Sequence, residues 1–481
     1  MQKLKSQEFV KSVSTLLSGS SIGLLVNYSA QILMVFFYTK EELGFTDSFL
    51  AAATILSTIT SLRYEDAIPL PRKTRDGAQI FSLANLFNIS INLALLPIII
   101  WRRDIALWMH MPELVQWLWL LPFMAILLNM TRIIETWFTR QKDFKLISVN
   151  RIAQNTLGNA FQLGGGMVKL GTTGLLLGAF LGRLMSLVFL WRELWKKDGA
   201  LVKAQFKWPL LQSKIKPYQR FGLYSMPAAL LNTLPAQLIF LVLQKYFSQA
   251  TVGEFGRGFK LLAIPAALLS SAIGQVFFLQ AAEAVQDNHL PETTAETFRR
   301  MVSLGLLPTV ITWFAAPDLA ALILGEEWRM AGVYAQYLAP WIFLSALASP
   351  LTRIFDVLQH QKWDLAFSIL MFVIQMGVLW YSLDRYNALF SIQCLSFTGV
   401  IMRALQILTL FYLAKVKLYA LPVHIFQYLV YAIPCEILLF AAKRTHLPWV
   451  VFIATVLGLI LYGWLFYEFE GRKKENSSEA E

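Results

Sequence analysis

Charge is scarce in this chain. Only 15% of its 481 residues are Asp, Glu, Lys or Arg, against roughly 25% in a soluble globular protein. So few charges cannot clothe a water-facing surface of this size. Cysteine is nearly missing. Cys394 and Cys435 both fall in apolar runs, which excludes a disulfide framework or a zinc cluster and leaves two small packing residues. The histidines His110, His289, His360, His424 and His446 are scattered at span ends, away from grouped carboxylates. No Gly-Lys precedes Ser or Thr, so there is no phosphate-cradling P-loop. No Asp-x-Asp glycosyltransferase pattern, metal set or nucleophile constellation emerges, and no enzyme is expected.

What the chain has in abundance is apolar sequence. Hydrophobic residues make up 56% and the mean hydropathy is +0.53. They come in runs of about 20 or more, the length that crosses a ~30 Å hydrocarbon core. Inside lipid such runs must be helices, because every backbone group needs a partner. The fold class is therefore all-α, a polytopic membrane protein. Spans are expected near residues 13–38, 44–67, 77–101, 114–138, 147–168, 172–195, 218–246, 254–284, 299–325, 330–358, 362–384, 388–415, 421–442 and 446–468, about fourteen in all. The run from Val13 to Tyr38 follows Lys3, Lys5 and Lys11. It is too long for a signal-peptide core and reads as an uncleaved first span.

The net charge of +12 does not point to nucleic acid, because the basic residues sit between spans as topology signals. With the N-terminus inside, about 28 basic residues fall on the cytoplasmic side and about 11 outside. Both termini are expected in the cytoplasm. External loops are short, the longest running from Arg102 to Glu113.

A weak internal repeat suggests two halves. Ala30-Gln31, Lys40 and Gly44-Phe45 find counterparts in Ala236-Gln237, Lys245 and Gly253-Glu254-Phe255, and Gly178 to Trp191 resembles Gly399 to Tyr412, with Arg183 against Arg403. The expected organisation is an N-terminal lobe over 1–195, a basic cytoplasmic linker over 196–217, a C-terminal lobe over 218–415, two further spans over 416–468 and a tail over 469–481. Repeats of this kind recur in transporters, with the substrate site between halves.

Charges within spans are costly and usually face a bundle interior or a wet cavity. Arg183 and Arg403 lie deep in spans six and twelve. Arg132 and Glu135 are spaced for a same-face ion pair, as are Glu254 and Arg257, with Lys260 following on the same helix. Arg63 closes span two within Arg63-Tyr64-Glu65-Asp66, where a positive-inside anchor is an equal reading. Arg151, Asn155, Asn159 and Gln162 form one polar stripe on span five, suited to sugar hydroxyls or to neighbouring helices. Deep arginines outnumber deep acids, which include Glu436, so a cavity lined by them favours an anion. Gly174, Gly178 and Gly182 form a helix-packing stripe on span six.

These residues resemble a known family. Arg63-Tyr64-Glu65 with Ala67-Ile68-Pro69, then Val252-Gly253-Glu254-Phe255, Pro265 and Gly274-Gln275-Val276-Phe277-Phe278, look like the O-antigen and exopolysaccharide flippases of the multidrug/oligosaccharidyl-lipid/polysaccharide transporter superfamily. The similarity extends over residues 13–415. It implies two six-helix lobes around a cationic cavity, working by alternating access in a bacterial inner membrane. It implies an undecaprenyl-pyrophosphate-linked oligosaccharide as cargo for cell-surface polysaccharide and lipopolysaccharide biosynthesis. Arg63, Glu65, Asn155, Asn159, Arg183, Arg257, Lys260 and Arg403 are the candidate substrate-binding residues. Partners are the lipid-linked oligosaccharide, membrane lipid and the polysaccharide polymerase machinery, with no nucleic acid. No cofactor or metal is expected, and a Na+ or H+ gradient is the candidate for coupling. Lipid II exporters carry an arginine in the first span. This chain's first span has charge only at its edges, at Lys11 and Lys40, which counts against lipid II. Two alternatives stay open: an ion-coupled drug antiporter of the same fold, and a membrane enzyme of glycan assembly.

Overall fold

The computed structural model describes Gly23 and residues 26–358, 360–383, 387–417, 420–445 and 447–478. Lys3, Lys5, Lys11, the start of span one at Val13, and His446 lie outside these residues, as do the side chains of Gln275 and His424. The described residues are helical with no strand. After a helical stretch over 26–34 come α1 (Lys40–Thr60), α2 (Thr74–Ala94), α3 (Arg102–Met109), α4 (Leu120–Arg140), α5 (Phe144–Met167), α6 (Thr172–Gln205), α7 (Trp208–Arg220) and α8 (Met226–Tyr246). Then follow α9 (Gln249–Gln286), α10 (Leu290–Leu324), α11 (Arg329–Leu351), α12 (Gln361–Leu383), α13 (Ala388–Leu413), α14 (Ala420–Lys443) and α15 (Pro448–Ser478). Nine helical segments among the described residues are long and apolar enough to cross a membrane. Of the about fourteen expected spans, the polar, glycine-rich fifth forms a full helix, α5, but is not one of the nine.

Two compact units divide at Gly253–Glu254. In the first, one apolar core gathers Tyr64, Phe81, Trp137, Phe138, Leu190, Leu194 and Leu211. A second joins Phe45, Phe49, Met111, Leu118, Met124 and Leu176. The glycine stripe on α6 does what its spacing suggests. A Cβ at Gly182 would strike the backbone of Gly158, one at Gly174 the Cα of Gly165, and one at Gly178 the backbone of Gln162. Only glycine lets α5 and α6 approach this closely.

In the second unit a single core runs through α10, α11, α13, α14 and α15, including Phe298, Leu347, Phe411, Tyr428, Leu439 and Val451. The two C-terminal helices are integral to it. Tyr462 donates to the Ser303 carbonyl at 2.9 Å, and a Cβ at Gly458 would collide with Cys435 Sγ. The outward faces of α14 and α15 present Phe426, Ile437, Phe440, Trp449, Phe452 and Ile460, an apolar surface suited to lipid.

Span two departs from the expected continuous helix over 44–67. Helix α1 ends at Thr60, Leu62 and Arg63 take left-handed conformations with φ of 51° and 58°, and a short 3-10 helix covers Tyr64–Ala67. The basic segment after span six is helical too. Helix α6 continues to Gln205, and α7 starts at Trp208. It is fastened to the first unit by Lys197–Asp143 at 2.6 Å, Lys214–Asp76 at 2.7 Å, and Tyr64 Oη donating to the Ile215 carbonyl at 3.0 Å.

Candidate functional site

The close glycine contact between α5 and α6 sets what lies beside Arg183. Arg151, Gln154 and Asn155 stand three and four residues apart on α5, so they share one face. Arg132 and Glu135 share a face of α4 for the same reason. Together with Thr131, Leu128 and Arg183 these side chains line a cavity of about 430 Å³ within the first unit.

The cavity has an excess of positive charge, with three guanidinium groups against one carboxylate. The expected Arg132–Glu135 pair is not the one that forms. Glu135 instead takes a forked bond from Arg151 across the α4–α5 contact, Nε to Oε1 at 3.2 Å and Nη2 to Oε2 at 2.8 Å. The planar fork of arginine matches both carboxylate oxygens at once, which a helical neighbour one turn away does not offer. Arg132 is left without a carboxylate partner among the described residues. Arg183 donates from Nη1 to the Ala179 carbonyl of its own helix at 3.2 Å, and its buried Nε has no acceptor. Two uncompensated guanidiniums thus line one concave site, with donors suited to phosphate oxygens.

Of the eight candidate residues, Arg183 and Asn155 meet in this cavity. The Asn155 amide also donates to the Gly23 carbonyl at 3.2 Å. Asn159, one turn further along the stripe, is buried and lies 3.4 Å from Asn27 Oδ1, while Gln162 donates to the Leu175 carbonyl at 2.9 Å. The far end of the stripe therefore holds helices together. Arg63 and Glu65 form a separate cluster at the break after α1. Arg63 lies 3.4 Å from Glu65 and 2.9 Å from Asp66, and the fully buried Glu65 carboxylate accepts from the Ser61 hydroxyl.

The other three candidates belong to the second unit. Arg257 is 3% exposed on α9, with Lys260 half-buried one turn on. Arg403 on α13 is engaged by neutral groups, donating to Ser345 Oγ at 3.2 Å and Gln406 Oε1 at 2.6 Å.

A buried amide network in the first unit escaped the sequence reading. The Asn129 amide donates to Thr60 Oγ1 at 3.0 Å, Thr60 donates to Asn88 Oδ1 at 2.9 Å, and Asn92 donates to the same oxygen at 3.1 Å. Asn85, Asn88 and Asn92 recur at helical spacing in an apolar span. That signal was available but is overshadowed by the charged residues.

The fold is shared with solved transporters. A lipid II flippase, MurJ, in its inward closed conformation superposes with a TM-score of 0.74 at 11% identity, covering 95% of this chain and 99% of that one. The Vibrio cholerae MATE transporter VcmN in its bent form gives 0.55 at 14% identity, covering 85% and 98%. A MOP superfamily transporter from Pyrococcus furiosus gives 0.56 at 14% identity, covering 86% and 96%. A sequence comparison with curated proteins gives no match. The family model described as polysaccharide biosynthesis protein matches residues 71–332, more than half of the chain. On that match this multi-pass membrane protein belongs to the polysaccharide biosynthesis protein family.

Proposed function

We propose that the chain is a flippase that moves undecaprenyl-pyrophosphate-linked oligosaccharide repeat units from the inner to the outer leaflet of a bacterial inner membrane. The reading rests chiefly on the cavity where Arg132, Arg151 and Arg183 face a single carboxylate, Glu135. A pyrophosphate needs several charge-assisted donors and a polar path that its lipid tail does not have to enter. The amides of Gln154 and Asn155 beside the guanidiniums suit the first sugar hydroxyls. A fold shared with a lipid II flippase fits a lipid-linked cargo, and a family of polysaccharide biosynthesis fits an oligosaccharide one. Arg63, Arg257, Lys260 and Arg403 are proposed as further cationic stations for the headgroup, and a Na+ or H+ gradient as the driving force. The basic-residue asymmetry supports cytoplasmic termini.

The test is a deletion strain analysed for lipid-linked glycan by leaflet. With synthesis intact, the lipid-linked repeat unit should accumulate on the cytoplasmic face while surface glycan disappears, and the wild-type gene should restore export. Failure to make the lipid-linked unit, or unpolymerised units on the outer face, would identify an assembly enzyme instead.

A further inference from the structure

We infer that Glu135 is an internal competitor of the cargo: it occupies the guanidinium fork of Arg151 that a phosphate group would take, and by reclaiming that fork it loosens the headgroup for onward movement. The inference rests on the reading of the cavity as the headgroup site. A carboxylate is a liability in an anion site, because it repels the ligand and uses up a donor. Here one stands among three guanidiniums, bonded to Arg151 at 3.2 and 2.8 Å. The rest of the wall has donors to spare. Arg183 Nε and the Thr131 hydroxyl both lie buried in it without a partner. Buried polar atoms in folded proteins are nearly always satisfied, so these two point to a ligand that brings oxygen acceptors.

The exposure of the pair separates a competitor from a clasp. The Arg151 side chain is 45% exposed and that of Glu135 15%. Solvent screens a pair so placed, and such pairs add little to stability. A carboxylate and a phosphate present the same two-oxygen edge to an arginine fork, and a diphosphate brings two charges against one. It can therefore displace Glu135 without any change of fold. The displaced carboxylate is not stranded, since Arg132 stands one turn before it on the same face of α4. Glu135 thus neutralises one guanidinium at a time, Arg151 or Arg132, and leaves the other to join Arg183 on the headgroup. The exchange lies close to the α4–α5 turn, because Glu135 comes shortly before Arg140, the last residue of α4. The basic asymmetry puts that turn in the cytoplasm, where a headgroup is first met and must be passed on.

The test is titration of the purified full-length chain in detergent with inorganic pyrophosphate at low ionic strength, alongside surface glycan at matched protein levels. Glu135→Gln should tighten pyrophosphate by roughly two- to fivefold, the strength of a screened pair, and yet lower export. Glu135→Asp keeps the charge but shortens the arm, so it should also tighten binding. In an Arg151→Ala background the gain from Glu135→Gln should largely vanish. An equal gain in both backgrounds would reduce the effect to charge repulsion and overturn the inference. Unchanged affinity in the Gln and Asp variants would make the pair a clasp and overturn it too, as would undiminished export by a variant that binds more tightly. Arg183→Ala separates the two readings. Pyrophosphate binding that this variant leaves unchanged, or no binding by the wild-type chain, would reject the cavity as the headgroup site and this inference with it.

Discussion

Arg183 uses one of its N–H groups on a carbonyl of its own helix and keeps the rest for something else. A charge-assisted contact is worth about 1.5–3 kcal/mol, so loss of one headgroup contact should weaken binding on the order of tenfold or more. At matched protein levels, Arg183→Glu should lower surface glycan most, Arg183→Ala clearly, and Arg183→Lys least, since lysine keeps charge but loses the fork. Normal export by the Ala and Glu variants of both Arg183 and Arg132 would remove the cationic cavity from the mechanism. The Arg151–Glu135 pair is a different case. The Arg151 side chain is 45% exposed, so solvent screens the pair, and a double-mutant cycle on melting should give only about 0.2–1 kcal/mol of coupling. A coupling several times larger would make the pair a structural clasp. The sequence already placed Arg151 and Asn155 on one stripe and Arg183 deep in span six. It could not name the partner of Glu135, because spacing along one helix says nothing about which neighbouring helix comes within reach.

At the scale of elements, the α5–α6 contact determines the depth and position of the cavity. Gly182→Val would force the Gly158 backbone away and overpack the contact by about 1–3 kcal/mol, lowering both the melting temperature and export. Gly164 is the matched control, because a Cβ there meets nothing within 4 Å. Gly164→Ala should leave export intact and raise stability by roughly 0.5–1 kcal/mol through helix propensity. Equal losses at both glycines would show that this helix pair tolerates no change at all, rather than a specific close approach. The glycine stripe was legible because small residues at every fourth position have one common physical use in a span. The break in span two was not. Leu62 and Arg63 hold left-handed backbone without glycine, asparagine or proline to announce it, and what accompanies that turn is tertiary: Tyr64, Ala67 and Ile68 packed into the core beneath and Tyr64 Oη bonded to the Ile215 carbonyl.

Across the whole molecule, topology is the property the sequence states most directly, since the basic asymmetry comes from the loops themselves. The basic segment after span six looked in sequence like an open linker, and residues 196–205 (Lys-Lys-Asp-Gly-Ala-Leu-Val-Lys-Ala-Gln) show why it is not. They are mostly good helix formers, and they extend α6 to Gln205. The weak point is therefore narrow. Phe206 and Lys207 are exposed between the two helices, whereas Lys197 and Lys214 are held by Asp143 and Asp76. Trypsin needs an extended, accessible bond, so the peptide after Lys207 should be cut before any other in this segment. With the proposed orientation, cleavage there should occur in inside-out vesicles and be absent in intact spheroplasts. The exposed Arg102 and Arg103 should behave in the opposite way, open to protease from outside and sheltered in inside-out vesicles. Cleavage after Lys207 from the outer face would invert the topology and with it the direction of transport proposed for the headgroup.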